Sequence, residues 1–254
     1  MTQAPIRRHL SDVLADMVRA TDIAYVWQIF CDAMVSYRFD KLLYGGTRLP
    51  SRGFMENLRE TLILHLGPQE YADVYLGEEL YLHSPSYEWA EKNSGFASWP
   101  EAIRQFAAAP TPEQMRIWQL NAQFGVIAGY VGSLNDVVPG MRGVIGISPV
   151  AGLDQAAADR IWAEDGKDVE TLCNTMHLRV ANLPQTGLLR PLTSRQREVL
   201  EWYSQGKTAQ DVAIIMDLSK ATVEKHLRMA RDSLEADTTA HAIKKATSLN
   251  LLTA

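Results

Sequence analysis

The sequence has few of the features that mark a secreted, membrane-inserted or metal-binding protein. Its 254 residues include only two cysteines, Cys31 and Cys173, and neither has a metal-ligating residue at a suitable spacing. No apolar run approaches the roughly 18 residues that span a bilayer, and no apolar signal segment follows the first basic residues. These absences predict a cytoplasmic protein with reduced, buried thiols and no membrane partner.

The common signatures of catalysis are missing as well. None of the six histidines stands in a His-Glu-x-x-His pattern or at metal-site spacing from a cysteine or carboxylate. The chain has no Gly-x-Ser-x-Gly nucleophile turn and no glycine-rich loop for phosphate. We therefore expect a protein that is not an enzyme and uses no metal or other cofactor. An N-terminal domain that turns over a small molecule is the alternative.

Charge is distributed unevenly along the chain. The formal net charge is −5, but residues 192–254 contain nine Lys or Arg and eight Asp or Glu, a net of +1. The upstream part therefore holds 16 basic and 22 acidic residues, a net of −6. A near-neutral C-terminal region can still bind DNA when its basic side chains cluster on one face.

Upstream of residue 183, apolar periodicity predicts helices, a few strands and further helices. Helices are predicted over about 6–37 with a break near Thr21, over 71–82, over 112–123, and over 153–182 with a turn allowed near Gly166. Strands are predicted over 41–46, 125–132 and 143–150, the last two adjacent. The Ser84-Pro85 pair is expected to stop the helix before it.

The C-terminal region contains a regular series of capped helices. Thr193, Thr208 and Ser219 each precede an apolar-periodic stretch, and Gln196 can complete a capping box with the first of them. Gly206 predicts a left-handed end to the first helix. With a fourth helix over about 239–249, this order predicts a helix-turn-helix domain whose third helix enters the major groove of DNA.

The third predicted helix carries charged side chains away from the apolar stripe of Val223 and Leu227. Basic groups in this place can meet phosphates or base edges. The solvated face of an ordinary helical hairpin would show the same spacing, so the pattern alone leaves both readings open. The candidate DNA-contacting residues are Lys220, Thr222, Glu224, Lys225 and Arg228.

Over nearly its whole length this region resembles the LuxR-type DNA-binding domain. The matching segments are 192–200, 206–207 and 218–227. The resemblance implies four helices, with the third as recognition helix, the fourth in dimer contacts, and DNA contacts at Glu224, Lys225 and Arg228. The chain departs from the family at Gln196, where Glu is usual, and at Met229, where Asn is common.

Aromatic and small residues recur at fixed distances in the N-terminal region. Tyr71 and Tyr75 are one helical turn apart, Ser84-Pro85 follows nine residues later, and Trp99 stands fourteen residues after Pro85. These spacings are similar to the pocket motif of the autoinducer-binding domain of LuxR-type quorum-sensing regulators. The acidic pair of a phosphoacceptor receiver domain is absent. The resemblance implies an α/β/α sandwich around an antiparallel sheet, with a pocket for an acyl-homoserine lactone.

Two departures fall on the polar groups of that pocket. Acyl-homoserine-lactone receptors usually have Trp, donating to the lactone carbonyl, where this chain has Tyr71, and Asp, accepting from the ligand amide, where it has Ser84. A neutral acceptor in place of a carboxylate weakens amide recognition by roughly 1 kcal/mol. We therefore expect a non-standard ligand, or a lactone held differently, although each aromatic residue can equally be core. The candidate ligand-binding residues are Tyr71, Tyr75, Ser84, Ser86, Trp99 and Ser148.

Together these patterns predict an α/β N-terminal domain at 1–182, a linker at 183–191 and an all-α four-helix domain at 192–254. We expect a cytoplasmic, ligand-responsive transcriptional regulator that binds double-stranded DNA as a homodimer on an inverted-repeat operator. Its effector would be an acyl-homoserine lactone or a related amphiphile, and the helical stretch 153–182 is the candidate for dimer contacts. The alternative is a constitutive regulator whose N-terminal domain serves dimerisation or protein interaction.

Overall fold

A computed structural model describes residues 7–48, 58–106, 109–186 and 189–252, which fall into two compact units, Met1–Ala181 and Asn182–Ala254. In the first unit, helices alternate irregularly with the strands of one sheet. In chain order the elements are α1 (Leu10–Arg19), α2 (Ile23–Ser36), β1 (Phe39–Thr47), β2 (Leu62–Leu66), α3 (Gln69–Gly77), α4 (Pro85–Lys92), β3 (Gly95–Ser98), α5 (Trp99–Phe106), α6 (Pro112–Gln123), β4 (Tyr130–Ser133), β5 (Arg142–Pro149) and α7 (Gln155–Asn182).

The five strands form one antiparallel sheet in the order β2-β1-β5-β4-β3. Leu43 lies opposite both His65 and Gly146, and Val131 lies opposite Gly146, so these four residues share one face of the sheet. Residues that alternate with them, such as Tyr44, face the other way.

Each face of the sheet is covered by helices. On one face the Tyr44 ring packs against Trp27 of α2 and His177 of α7. The other face, which carries Leu43, lines a cavity together with residues of α3, α5 and α6. The predicted α/β/α sandwich around an antiparallel sheet is therefore confirmed, and the sheet separates a packed core on one face from a cavity on the other.

Two sequence-based boundaries were wrong in the first unit, the end of one helix and the start of one strand. The helix predicted over 71–82 ends at Gly77, and a short 3₁₀ turn, Leu80–His83, follows Glu79 in the left-handed region (φ 53°). The Ser84-Pro85 pair starts α4 as well as ending the turn, because a first-turn proline needs no N–H partner. The strand predicted over 125–132 is confined to Tyr130–Ser133.

Helix α7 runs without the interruption that its glycine suggested. Gly166 is buried within the 28-residue helix, and the indole of Trp162, one turn earlier, lies directly over it. That indole stacks on Tyr130 of the sheet at 4.0 Å between ring centroids. The glycine therefore leaves room for an aromatic stack and does not break the helix.

The second unit is a bundle of four helices, α8 (Ser194–Ser204), α9 (Ala209–Ile215), α10 (Lys220–Ser233) and α11 (Thr239–Ser248). The predicted caps are confirmed: the side chains of Thr193, Thr208 and Ser219 each accept a hydrogen bond from a backbone N–H three residues later. Gln196 completes the capping box of α8, and Gly206 follows that helix with φ 84°. The core includes Val199, Leu200, Val212, Val223, Leu227, Ala230, Leu234 and Ala246.

Candidate ligand cavity and DNA-binding helix

A cavity of about 390 Å³ lies between the sheet and the helices that cover one of its faces. Its floor includes the cavity-facing positions of the strands, Leu43, His65, Val131 and Gly146. All six residues predicted to bind ligand line this one space. They are Tyr71 and Tyr75 of α3, Ser84 at the start of α4, Ser86 of α4, Trp99 of α5, and Ser148 of β5.

Several hydroxyl groups of the cavity already have partners within the protein. Tyr71 donates to Asn121 Oδ1 over 2.9 Å, and Ser148 donates to the carbonyl oxygen of Ala128 over 2.6 Å. Burial raises the pKa of Tyr71 and of Tyr75, and a side-chain hydrogen bond with Ser84 partly opposes the shift for Tyr75. Both phenols are therefore neutral at physiological pH and act as hydrogen-bonding groups without charge.

Aromatic rings of α3 form part of the cavity wall. Tyr71 and Tyr75 stack with 5.5 Å between ring centroids and an interplanar angle of 13°, and the edge of Phe124 closes against Tyr71 at 5.9 Å. The four-residue step between the tyrosines produces this stack, since it places them on the same face of α3. Tyr71 and Tyr75 therefore supply aromatic surface to the cavity, and Phe124 supports the Tyr71 ring.

Polar groups of the cavity without a hydrogen-bond partner among the described residues include the Ser86 hydroxyl, the Trp99 indole N–H and the buried Nε2 of His65. Lys41 also lines the cavity, but its ammonium group is bound to Asp40 at 2.8 Å and to the Pro149 carbonyl at 3.2 Å. Groups without a partner are the ones a ligand can bind without displacing an internal bond.

The sequence-based list missed three residues that shape this site. Asn121 occupies a helical position in α6 with no motif around it, and His65 and Gly146 lie on strands of the floor. Strand alternation over 62–66 would have placed His65 on the cavity side if that strand had been recognised. A Cβ on Gly146 would meet only the Leu43 carbonyl oxygen, at 3.9 Å, so this glycine leaves space in the cavity.

In the second unit, helix α10 separates an apolar face from a charged one. Val223, Leu227 and Ala230 are buried at spacings of four and three, whereas Lys225 and Arg228 are exposed. Neither cation forms an ion pair with another described residue. Two unpaired basic side chains on the exposed face of a capped helix are suited to phosphates and base edges.

The other three candidates on α10 have different surroundings. Lys220 and Glu224 are exposed and 3.9 Å apart, one turn from each other along the helix. Thr222 is half-buried, and its hydroxyl shares a 2.8 Å hydrogen bond with Ser219 at the helix start. Thr222 thus supports the N-terminal turn of α10, while Lys220 and Glu224 present their charged groups to solvent.

Comparison with known families agrees with this division of the chain. Residues 22–180 match the family described as an autoinducer binding domain, and residues 190–246 match bacterial regulatory proteins of the luxR family. The chain belongs to the LuxR family of bacterial transcriptional regulators. The family resemblance predicted from the sequence is thereby confirmed, with an autoinducer-binding domain followed by a helix-turn-helix DNA-binding domain.

Full-length relatives support the same assignment. The chain is 27% identical over 227 residues to the quorum sensing-dependent transcriptional regulator RpaR of Rhodopseudomonas palustris, covering 87% of this chain and 88% of RpaR. It is 26% identical over 208 residues to the transcriptional activator EsaR of Pantoea stewartii, covering 78% and 82%. These relatives are transcriptional regulators.

Solved structures share the fold. SdiA in complex with octanoyl-rac-glycerol matches with a TM-score of 0.52 and 14% identity, over 94% of this chain and 93% of SdiA. The crystal structure of Escherichia coli SdiA in the space group P6522 matches with a TM-score of 0.52 and 16% identity, over 96% of this chain and 98% of that chain. Among the described residues of the present chain, no helix has the length and apolar character to cross a membrane.

Proposed function

We propose that this LuxR-type regulator binds an acyl-homoserine lactone, or a related small amphiphile, in the cavity of its N-terminal domain and that the bound ligand controls binding of DNA by α10. One observation carries the proposal: the four residues of the spacing motif, together with the two further candidate hydroxyls of Ser86 and Ser148, line one cavity of about 390 Å³. This volume falls in the range of roughly 300–1,000 Å³ that is usual for small-molecule pockets. The cavity binds its ligand and does not convert it.

The polar contacts to the ligand follow from which groups are free. The indole N–H of Trp99 and the hydroxyl of Ser86 donate to ligand oxygens, because neither has a partner among the described residues. The other four candidates form part of the cavity wall, and their hydroxyl groups must give up a hydrogen bond within the protein to bind the ligand. They are Tyr71, Tyr75, Ser84 and Ser148. Such an exchange gains little net free energy, so these four hydroxyls add little affinity for a plain lactone. This fits a different ligand, or a lactone held by other groups.

The DNA contacts are proposed for Lys220, Thr222, Glu224, Lys225 and Arg228 of α10. Lys225 and Arg228 supply the main basic contacts, and Thr222 acts mainly through the helix start that it stabilises. Residues 192–254 form the DNA-binding domain, residues 183–191 the linker, and residues 1–182 the effector-binding and dimerisation domain. The site of action is the cytoplasm, where a bacterial operator lies.

A dimer surface is proposed around the end of α7. Arg179 donates to the carbonyl oxygens of Met17 (3.1 Å) and Ala20 (2.7 Å), which brings the end of α1 against α7. Val18 and Leu178 are 58% and 46% exposed beside these contacts. Two exposed apolar side chains in one region suit contact with a second copy of the chain, and a twofold dimer would present two recognition helices to an inverted repeat.

Ligand titration of the full-length protein, compared with a variant whose cavity is filled, tests the ligand half of this proposal. Gly146→Leu adds an isobutyl group where the structure has open space. We expect micromolar octanoyl-homoserine lactone, or an amphiphile recovered from cell extract and identified by mass spectrometry, to raise the melting temperature of the wild type. The Gly146→Leu variant should lose this shift while its ligand-free melting temperature stays within a few degrees of wild type.

The result also distinguishes the alternative function. If no lactone and no extract component stabilises the wild type, and purified protein binds its operator equally with and without extract, the chain is a constitutive LuxR-type regulator. An equal shift in wild type and Gly146→Leu would place the ligand outside this cavity.

A further inference from the structure

The buried imidazole nitrogen of His65 is an unused hydrogen-bonding group on the floor of the cavity. Nε2 of His65 has no partner among the described residues, although its atom is shielded from solvent. An unsatisfied buried nitrogen is costly, and such groups in folded proteins usually meet a partner that the protein itself does not provide. For a residue that lines a ligand cavity, the ligand is a natural partner.

The sheet register gives His65 apolar neighbours across the adjacent strands. His65 lies opposite Leu43 on β1, and Leu43 lies opposite Gly146 on β5, where the glycine leaves open space. Across the strands, the row of the floor that begins at His65 is therefore apolar, with open space at Gly146. A plain hydrocarbon chain lying over Leu43 and Gly146 would cover the imidazole without offering it a hydrogen bond.

Lys41 does not take this role, although it lies on the same face two residues before Leu43. Its ammonium group is engaged by Asp40 and by the Pro149 carbonyl, and its side chain is only 14% exposed. The positive charge of Lys41 is therefore already neutralised by Asp40. His65 remains the floor group with unmet hydrogen-bonding capacity.

We propose that His65 is a specificity-determining residue that binds a hydroxyl or carbonyl group on the tail of the ligand. This inference rests on the proposed function of the cavity and names the class of ligand more narrowly: an amphiphile with a polar head and an oxygenated tail. A neutral imidazole Nε2 either donates or accepts, depending on its tautomer. A tail hydroxyl satisfies both cases, whereas a tail carbonyl satisfies only the donating tautomer.

The test compares ligands and variants in one cycle, using purified full-length protein. The probes are octanoyl-homoserine lactone and its analogues with a hydroxyl or an oxo group at carbon 3, carbon 5 or the terminal carbon. Dissociation constants are measured for wild type, His65→Leu, His65→Phe and His65→Gln. The two apolar variants bracket the size of the imidazole, so that one of them serves if the other does not fold, and Gln retains a hydrogen-bonding amide.

We expect at least one oxygenated analogue to bind the wild type about three- to tenfold more tightly than the plain lactone, the effect of one neutral hydrogen bond. This ratio should fall to about one in the apolar variants and be largely kept by His65→Gln. A ratio that is the same in wild type and in both apolar variants overturns the role of His65, as does the lack of any preference in wild type while the plain lactone binds. If none of the probes binds the wild type, the proposed lactone pocket fails together with this inference.

Discussion

The hydroxyl of Tyr71 donates to Oδ1 of Asn121 over 2.9 Å and thereby joins α3 to α6 across one side of the ligand cavity. Tyr71 stands where the family resemblance implies a ligand-binding Trp. The tyrosine therefore has a structural partner within the protein, and the wall of the cavity is held by a bond that a Trp at this position would make differently or not at all.

This bond can be measured with a double-mutant cycle in stability. Tyr71→Phe and Asn121→Ala should each lower the free energy of unfolding in the absence of ligand, because each removes one side of a half-buried hydrogen bond. We expect a coupling energy of about 1 kcal/mol between them, obtained from urea denaturation with Tyr75→Phe as the control on the same helix face. Simple additivity of the two substitutions would show that the bond contributes nothing to the fold.

Two glycines of β5 should respond to the same small substitution to very different extents. A Cβ on Gly143 would press into the ring of His177, whereas a Cβ on Gly146 has only the Leu43 carbonyl within reach, at 3.9 Å. We expect Gly143→Ala to destabilise the protein by about 1–3 kcal/mol through overpacking and Gly146→Ala to change stability by less than about 0.5 kcal/mol. Thermal or urea unfolding of the pair checks this, and equal effects would contradict the assignment of the two faces of the sheet.

The buried His177 predicts a loss of stability in mild acid. Burial, with a smaller contribution from Arg48, lowers the pKa of His177 to about 4, and its Nδ1 lies 2.8 Å from the hydroxyl of Tyr44. In the unfolded chain the imidazole takes up a proton near pH 6.5, whereas in the folded chain it stays neutral. The contribution of His177 to the free energy of unfolding is therefore fully present above pH 6.5 and is lost as the pH falls toward 4. The total loss is about 3 kcal/mol.

The comparison of wild type with His177→Asn isolates this effect, since the acidic residues that titrate in the same range are common to both proteins. We expect the unfolding free energy of wild type to decline more steeply between pH 7 and pH 4.5 than that of the variant. Parallel pH profiles would mean that His177 is protonated in the folded protein, contrary to its burial.

In the DNA-binding domain, removing single positive charges should lower DNA affinity when the charge lies on α10 and leave it unchanged elsewhere in the bundle. Lys225→Ala and Arg228→Ala should each weaken binding to an operator fragment selected in vitro by the wild type. If the side chain contacts a base, we expect Kd to increase by about five- to a hundredfold. If it contacts a phosphate, we expect the slope of log affinity against log salt concentration to fall by about one phosphate contact. Lys244→Ala, an exposed lysine of α11, is the matched control. Affinities for both α10 variants equal to that of the control would falsify α10 as the recognition helix.

The sequence alone determined the features that depend on local interactions. Thr193, Thr208 and Ser219 predicted the helix starts of the C-terminal bundle because a capping side chain bonds to N–H groups within three residues. Gly206 likewise marked a helix end through its own backbone freedom. The spacing of Tyr71, Tyr75, Ser84 and Trp99 located the ligand cavity, since the family motif encodes positions that the fold brings together.

What the tertiary structure decided is which of those side chains remain available to a ligand. Tyr71 and Ser148 have partners in Asn121 and Ala128, which are distant in sequence and carry no pattern that would reveal the contact. The buried Nε2 of His65 has no partner because β2 is an edge strand whose cavity-facing neighbours include Leu43 on β1, and Gly146 on β5 beyond it. Hydrogen-bond satisfaction in a buried site is a property of the assembled neighbours, and for this reason the sequence identified a pocket while the fold determined its free polar groups.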